Sequence, residues 1–215
     1  MNFKIYNKDF ITFIKNAYDR INKDKDYITE LDSATGDGDH WANINMGYEK
    51  LVEISPELEK LSLEEMFKKI GMTMMSNIGG SSGVLYGGSY IAASKVLAGK
   101  DFIDKNTLEN ILEEQLKSMK SRGQCEIGNK TMIDSLSPAL DALKQNINND
   151  DIKATLTLVK EKALEGANAT KDMPAVKGRA SYQTNKGIGH LDPGAVTMSY
   201  QIEELMNVAI ANIES

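Results

Sequence analysis

Ser62-Leu63-Glu64-Glu65-Met66-Phe67-Lys68-Lys69-Ile70-Gly71-Met72-Thr73-Met74-Met75-Ser76-Asn77-Ile78-Gly79-Gly80 reads as one helix from start to stop. Ser62 and Glu65 form a capping box, in which hydroxyl and carboxylate each satisfy a backbone N–H that the first turn would leave bare. Behind it Met66, Phe67, Ile70, Met74 and Ile78 share one face at three- and four-residue spacing, and Gly79-Gly80 ends the run. A stripe confined to one face has to be covered, so this helix belongs to a larger helical assembly.

The same pattern extends in both directions. Towards the N-terminus, Asn7 can cap a helix bearing Phe10, Ile14, Ala17 and Ile21. Tyr27, Ile28 and Leu31 mark a short helix that delivers Asp32 at its end, and a third runs from His40 through Ile44, Tyr48, Leu51 and Val52. Towards the C-terminus, residues 79–99 form a glycine-rich turn leading into a helix whose small residues permit close packing. Leu108, Ile111, Leu112, Leu116 and Met119 follow a cap at Asn106 or Thr107 and stop at Gly123. Ile133 to Ile147 form the next helix, where Pro138 predicts a kink or a late start. Asp151 opens another, and Asp192-Pro193 reads as N-cap and first residue of the last.

No alternating run bounded by tight turns is present. The fold class is therefore all-α, an antiparallel arrangement of about eight amphipathic helices around one core. Across 215 residues with 41% hydrophobic content, a single domain over 1–215 suffices. The net charge of −6, with no Lys/Arg cluster clear of acids, speaks against a nucleic-acid surface. Nor does any apolar run reach membrane-spanning length, and the lone Cys125 fits a reducing compartment, so a cytoplasmic protein is expected. The eleven methionines read as core filler.

Chemistry concentrates in the links. In Asp32-Ser33-Ala34-Thr35-Gly36-Asp37-Gly38-Asp39-His40, three carboxylates crowd around two glycines. Glycine allows a sharp turn that aims Asp32, Asp37 and Asp39 at one point, where each like-charge pair costs about 1–4 kcal/mol unless a cation sits among them. Hard oxygen ligands suit Mg2+ or Ca2+, and Mg2+ commonly completes its shell with substrate phosphates. The alternative is a solvated acidic turn with Asp39 as a helix cap.

Three further segments stand beside it. Gly79-Gly80-Ser81-Ser82-Gly83 can offer backbone N–H groups to phosphate oxygens at a helix start, or be a plain turn. Residues 122–132 can cover a bound base or phosphate, or be an ordinary loop. Residues 178–194 join Arg179, a fork of donors suited to a transferring phosphoryl group, to the start of the last helix. On chemistry alone an all-α magnesium hydrolase of phosphate esters stays open.

Taken in order, LDSATGDGDH, GGSSGVLYGG, RGQCEIGNKTMID and GRASYQTNKGIGHLDPGA resemble the nucleotide-binding L subunits of dihydroxyacetone kinases, the DhaL family, and the resemblance covers most of the chain. It implies an eight-helix antiparallel barrel whose loops at one end bind ADP or ATP with two Mg2+ ions. Asp32, Asp37 and Asp39 would hold the metals. His40 and Asn43, with Ser81 and Ser82, would touch the phosphates, while Gly123, Met132, Arg179, Asp192 and Pro193 line the remaining pocket. Arg179 and His40 are the catalytic candidates.

The resemblance also implies partners. The ketone would sit on a separate K subunit, and a phosphotransferase-system M subunit would recharge the bound ADP; a homodimer is a further candidate assembly. Two alternatives share the same site: an L-like paralogue serving another small ketose or aldose, and a nucleotide-loaded regulatory module without turnover. The chain departs from the family pattern at Trp41, expected as a large ring close to the phosphates, and at Val84 and Asn129.

Overall fold

A computed structural model describes residues 2–214. The capping box at Ser62 is formed, with the Ser62 hydroxyl accepting from Glu65 N–H at 3.3 Å and the Glu65 carboxylate accepting from Ser62 N–H at 3.1 Å. Among the described residues there are ten α-helices: α1 Asn7–Lys23, α2 Lys25–Thr35, α3 His40–Glu53, α4 Ser55–Leu58, α5 Leu63–Asn77, α6 Gly80–Ser94, α7 Lys105–Gly123, α8 Ile133–Asn146, α9 Ile152–Ala169 and α10 Pro193–Ala211. No strand forms among them; the extended pairings are isolated bridges, Phe3 with Ile213 and Ile5 with Ile103. No described helix is long and apolar enough to cross a membrane.

Eight of these helices close a ring, in which α1 packs on α3, α3 on α5, then α6, α7, α8, α9 and α10 in turn, with α10 back on α1. Single-turn α4 and short α2 are accessories to it. The apolar stripes meet inside as one cluster that includes Phe13, Tyr48, Phe67, Tyr86 and Leu136. Buried polar groups there are paired: Tyr48 donates to Gln201 Oε1 at 2.8 Å, and Gln201 Nε2 donates to Tyr86 Oη at 3.3 Å. The C-termini of α2 and α7 and the N-termini of α3, α6, α8 and α10 all reach one cavity, so successive ring members alternate in direction.

The small residues of α6 do what its composition predicts. A Cβ on Gly87 would stand 2.5 Å from the Gly71 carbonyl oxygen, and one on Gly71 would stand 2.6 Å from the Gly87 carbonyl oxygen. Backbone therefore meets backbone where α5 and α6 cross.

Three expectations shift. Asn7 is the first helical residue and not the cap; Tyr6 holds that position, its N–H donating to Asp9 Oδ2 at 2.9 Å, and Asn7 Nδ2 instead reaches Leu61 O at 2.7 Å. The cap of α7 is Asp104, ahead of Asn106 and Thr107, because its carboxylate accepts from Thr107 N–H at 2.8 Å. Pro138 neither delays nor ends α8. The carbonyl it leaves without a donor, on Asp134, faces Gly166 of α9, where a Cβ would come within 2.0 Å. Of the methionines, Met66, Met74, Met119 and Met206 are core, whereas Met46 and Met72 are exposed.

Candidate functional site

Asp32 occupies the last turn of α2, and the chain then bends through Gly36 and Gly38 before α3 begins. Both glycines are demanded by geometry. A Cβ on Gly36 would stand 2.7 Å from Asp32 Oδ1, and Gly38 has φ +77°, a left-handed conformation, with Ser33 Oγ 2.7 Å from where a Cβ would be. Asp32 Oδ2 accepts from the His40 N–H at 2.9 Å, which locks the turn onto α3. Carboxylate oxygens of Asp32, Asp37 and Asp39 consequently lie within 4.8 Å of one another. Asp39 stands at the N-cap position of α3, yet its side chain accepts no helix N–H. The three-oxygen donor set fits a hard divalent ion such as Mg2+.

His40 is buried beneath this cluster, its ring Nε2 2.9 Å from Thr197 Oγ1 of α10. Burial holds the imidazole below its ordinary pKa, against the pull of Asp32 and Asp39. Opposite the acids, Gly79 enters α6 in extended backbone without a side-chain cap, so Ser81 and Ser82 form the first turn of the helix itself. Unclaimed N–H groups at a helix start attract anions. Asn43 does not reach the cavity wall; it lies behind, where a Cβ on Gly79 would stand 2.5 Å from its Oδ1.

The link between α7 and α8 is shaped by Asp134, a buried residue whose Oδ1 accepts from Gly128 N–H at 2.6 Å and Oδ2 from Thr131 N–H at 2.8 Å. Gly123, Thr131 and Met132 thereby face the cavity. Asn129 is turned into its own loop, its Oδ1 accepting from Glu126 N–H at 2.9 Å. Between α9 and α10 the chain makes a long excursion with a 3-10 turn at Arg179–Tyr182. Arg179 Nη2 reaches Asp37 Oδ2 at 2.6 Å. Asp192 caps α10, accepting from Ala195 N–H at 2.7 Å, and burial pushes its carboxyl up to about 7.

These parts enclose a cavity of about 520 Å³. Every site residue singled out in the sequence lines it except Asn43. The acidic turn stands on one side; Arg122, Lys177 and Arg179 supply positive charge, and Leu85, Met119 and Ile133 an apolar surface, while the ammonium of Lys130 is turned to the Thr170 and His190 carbonyls. Such a combination suits a flat base joined to phosphates. Arg122, Lys130, Lys177, Asp134 and Thr197 were not legible as site residues. The partners of Lys130 and Thr197 lie far along the chain, and only the position of Arg122, Lys130 and Asp134 inside the third loop motif hinted at them.

Trp41 overturns an expectation. Its ring is off the cavity wall and lies under Lys25 Nζ, 4.4 Å from the centroid. One step along a helix rotates a side chain by roughly 100°, so His40 and Trp41 cannot face the same way. His190 is exposed and off the wall, and its backbone carbonyl accepts from Lys130 Nζ.

Fold and site together define a class, an all-α ring of helices that at one end sets a cluster of three carboxylates against basic side chains and a helix start. Residues 34–207 match the DAK2 domain, and the chain belongs to this family, that of the DhaL subunits of dihydroxyacetone kinases. It is 37% identical over 207 residues to the ADP-binding subunit DhaL of PEP-dependent dihydroxyacetone kinase 1 of Listeria innocua, covering 96% of this chain and 99% of that one. Against the ADP-binding subunit DhaL of the PTS-dependent dihydroxyacetone kinase of Lactococcus lactis, identity is 34% over 198 residues, or 92% of this chain and 95% of that one. The crystal structure of the dihydroxyacetone kinase from C. freundii in complex with AMP-PNP and Mg2+ superposes with a TM-score of 0.71 at 25% identity, covering 92% of this chain and 33% of the longer kinase.

Proposed function

We propose that this chain is the nucleotide-carrying subunit of a cytoplasmic dihydroxyacetone kinase, holding ADP or ATP with two Mg2+ ions in the cavity. Asp32, Asp37 and Asp39 would hold the metals, which when bound supply neutralisation of phosphate charge. The first-turn N–H groups of α6, with Ser81 and Ser82, would donate hydrogen bonds to the phosphate oxygens. Neutral His40, braced by Thr197, orients the turn through its N–H to Asp32 and adds a polar ring beside the phosphates. Arg179 follows the charge that develops as the phosphoryl group moves, since its guanidinium keeps its charge and presents several donors. Leu85, Met119 and Ile133 would pack on the base.

The acceptor, dihydroxyacetone, is assigned to a separate K subunit, and recharging of ADP to a phosphotransferase-system M subunit; in support, the relatives are named as ADP-binding subunits of PEP- and PTS-dependent kinases. Exposed Val84, Ile127, Val176, Tyr182 and Ile188 on the loops and helix start at this end support docking of another protein over the cavity. The observation that carries the reading is the convergence of three carboxylates with Arg179 on one cavity. The test has two parts. Native mass spectrometry and calorimetry should find ADP bound only with Mg2+, and a K subunit of the same kinase type should accept a phosphoryl group from the ATP-loaded chain. Tight binding without transfer to any such partner would favour a regulatory module.

A further inference from the structure

Residues 171–191 carry Arg179 and yet are scarcely anchored by the core, since Ala175 is the one buried hydrophobic side chain among them. An excursion with so little apolar burial must be held by polar ties. Some are backbone bonds, Gly189 N–H to Lys171 O at 2.8 Å and Val176 N–H to Asn129 O at 3.2 Å. One side chain ties it to α2, Gln183 Nε2 donating to Ala34 O at 3.1 Å.

The central tie is Lys130. This lysine is 2% exposed and sits at φ +60°, an unusual backbone for a residue with a Cβ. Its Nζ donates to the carbonyl oxygens of both Thr170 and His190, the points at which the excursion leaves α9 and returns to α10. Between them its Cε lies against Gly187, 3.2 Å from where a Cβ would stand. Burial holds the ammonium below its ordinary pKa, and the charges of Asp192, Asp134 and Asp172 pull the other way.

We propose that Lys130 is a positioning residue that fastens the two feet of the 171–191 excursion together, so that Arg179 is presented to Asp37 and the cavity. It acts through Arg179 and not on the transferred group. The inference rests on the phosphoryl-transfer reading above for its effect on rate, but its effect on the loop is independent of that reading.

The experiment uses the full chain with Lys130→Met, which keeps an unbranched side chain out to the Cε position and removes all donors. Hydrogen exchange of the ligand-free protein, followed by mass spectrometry, should show exchange across 171–191 accelerated about tenfold or more while α3 and α5 keep their protection. In the reconstituted transfer assay, kcat should fall with nucleotide affinity changed less than about threefold, and the losses from K130M and R179Q should fail to multiply in the double variant. Should K130M not fold, K130Q, which keeps an amide donor one atom short of the ammonium position, reads the same exchange at an intermediate level. Unchanged exchange across 171–191, a loss confined to nucleotide affinity, or losses that multiply would each overturn the proposal. A loosened excursion in a chain that transfers to no partner would leave the proposal standing and sink the kinase reading instead.

Discussion

Arg179 Nη2 and Asp37 Oδ2 lie 2.6 Å apart, so the guanidinium and a proposed metal ligand are already partners. A divalent ion and Arg179 must then share or contest the same carboxylate. Both side chains are largely exposed, at 65% and 39%, so the pair itself adds little to stability. Arg179→Gln should raise affinity for Mg2+ alone by about two- to fivefold and lower phosphoryl transfer by about 10³-fold or more. Calorimetry with Mg2+ in the absence of nucleotide, set beside a transfer assay, reads both directions.

Asp37 is exposed, in a turn outside both flanking helices. Asp37→Asn should change folding stability by no more than about 0.5 kcal/mol. It should nevertheless weaken Mg2+-dependent ADP binding by about a hundredfold, and chelation should bring the wild type down to the level of the variant. Equal ADP affinity for both proteins in Mg2+ would remove the three-carboxylate site from the account.

The crossing of α5 over α6 should tolerate no added atom. Gly87→Ala places a methyl 2.5 Å from the Gly71 carbonyl and 2.8 Å from Met75 Cβ, so the helices must part. A loss of about 1–3 kcal/mol is expected from urea unfolding. A stability equal to wild type would mean that the two backbones are not in contact.

Asp192 makes a pH prediction. Its carboxyl is pushed from the ordinary 3.8 up to about 7, chiefly by burial and against the hydrogen bond from Ala195. Between those values the folded chain holds a proton that the unfolded chain has released. This contribution is fully present below the unfolded pKa and is lost as pH rises through about 7. Asp192→Asn keeps the capping oxygen and cannot titrate. The stability of the wild type relative to that variant should thus fall between about pH 4 and pH 7.5, by a total on the order of 1–4 kcal/mol. A difference that stays flat with pH would contradict the assignment.

What could be read from residues alone divides by distance along the chain. The acidic turn was legible because its three carboxylates and two glycines are neighbours, and the caps at Ser62, Asp151 and Asp192 because each acts on an N–H three residues on. Tyr6 was missed because the bond that fixes the start of α1 runs backwards from Asp9. Trp41 was misplaced because helical rotation separates adjacent side chains. Spacing could not join Asp37 to Arg179 or Lys130 to His190; the resemblance grouped the loops that carry them without revealing their contacts. Thr197 lies on α10, a helix buried on nearly every side, where no one-sided stripe distinguishes a working face.

Glu214 N–H donates to Asn2 O at 2.9 Å, and Lys4 pairs with Glu214 at 2.9 Å. The alternation of ring members places this meeting at the end of the barrel away from the acidic turn. A short linker between Asn2 and Glu214 would therefore close residues 2–214 into a ring, and a circular permutant of them reopened at the exposed Lys100–Asp101 link, on that same far side, would present the same cavity from a rearranged order of helices.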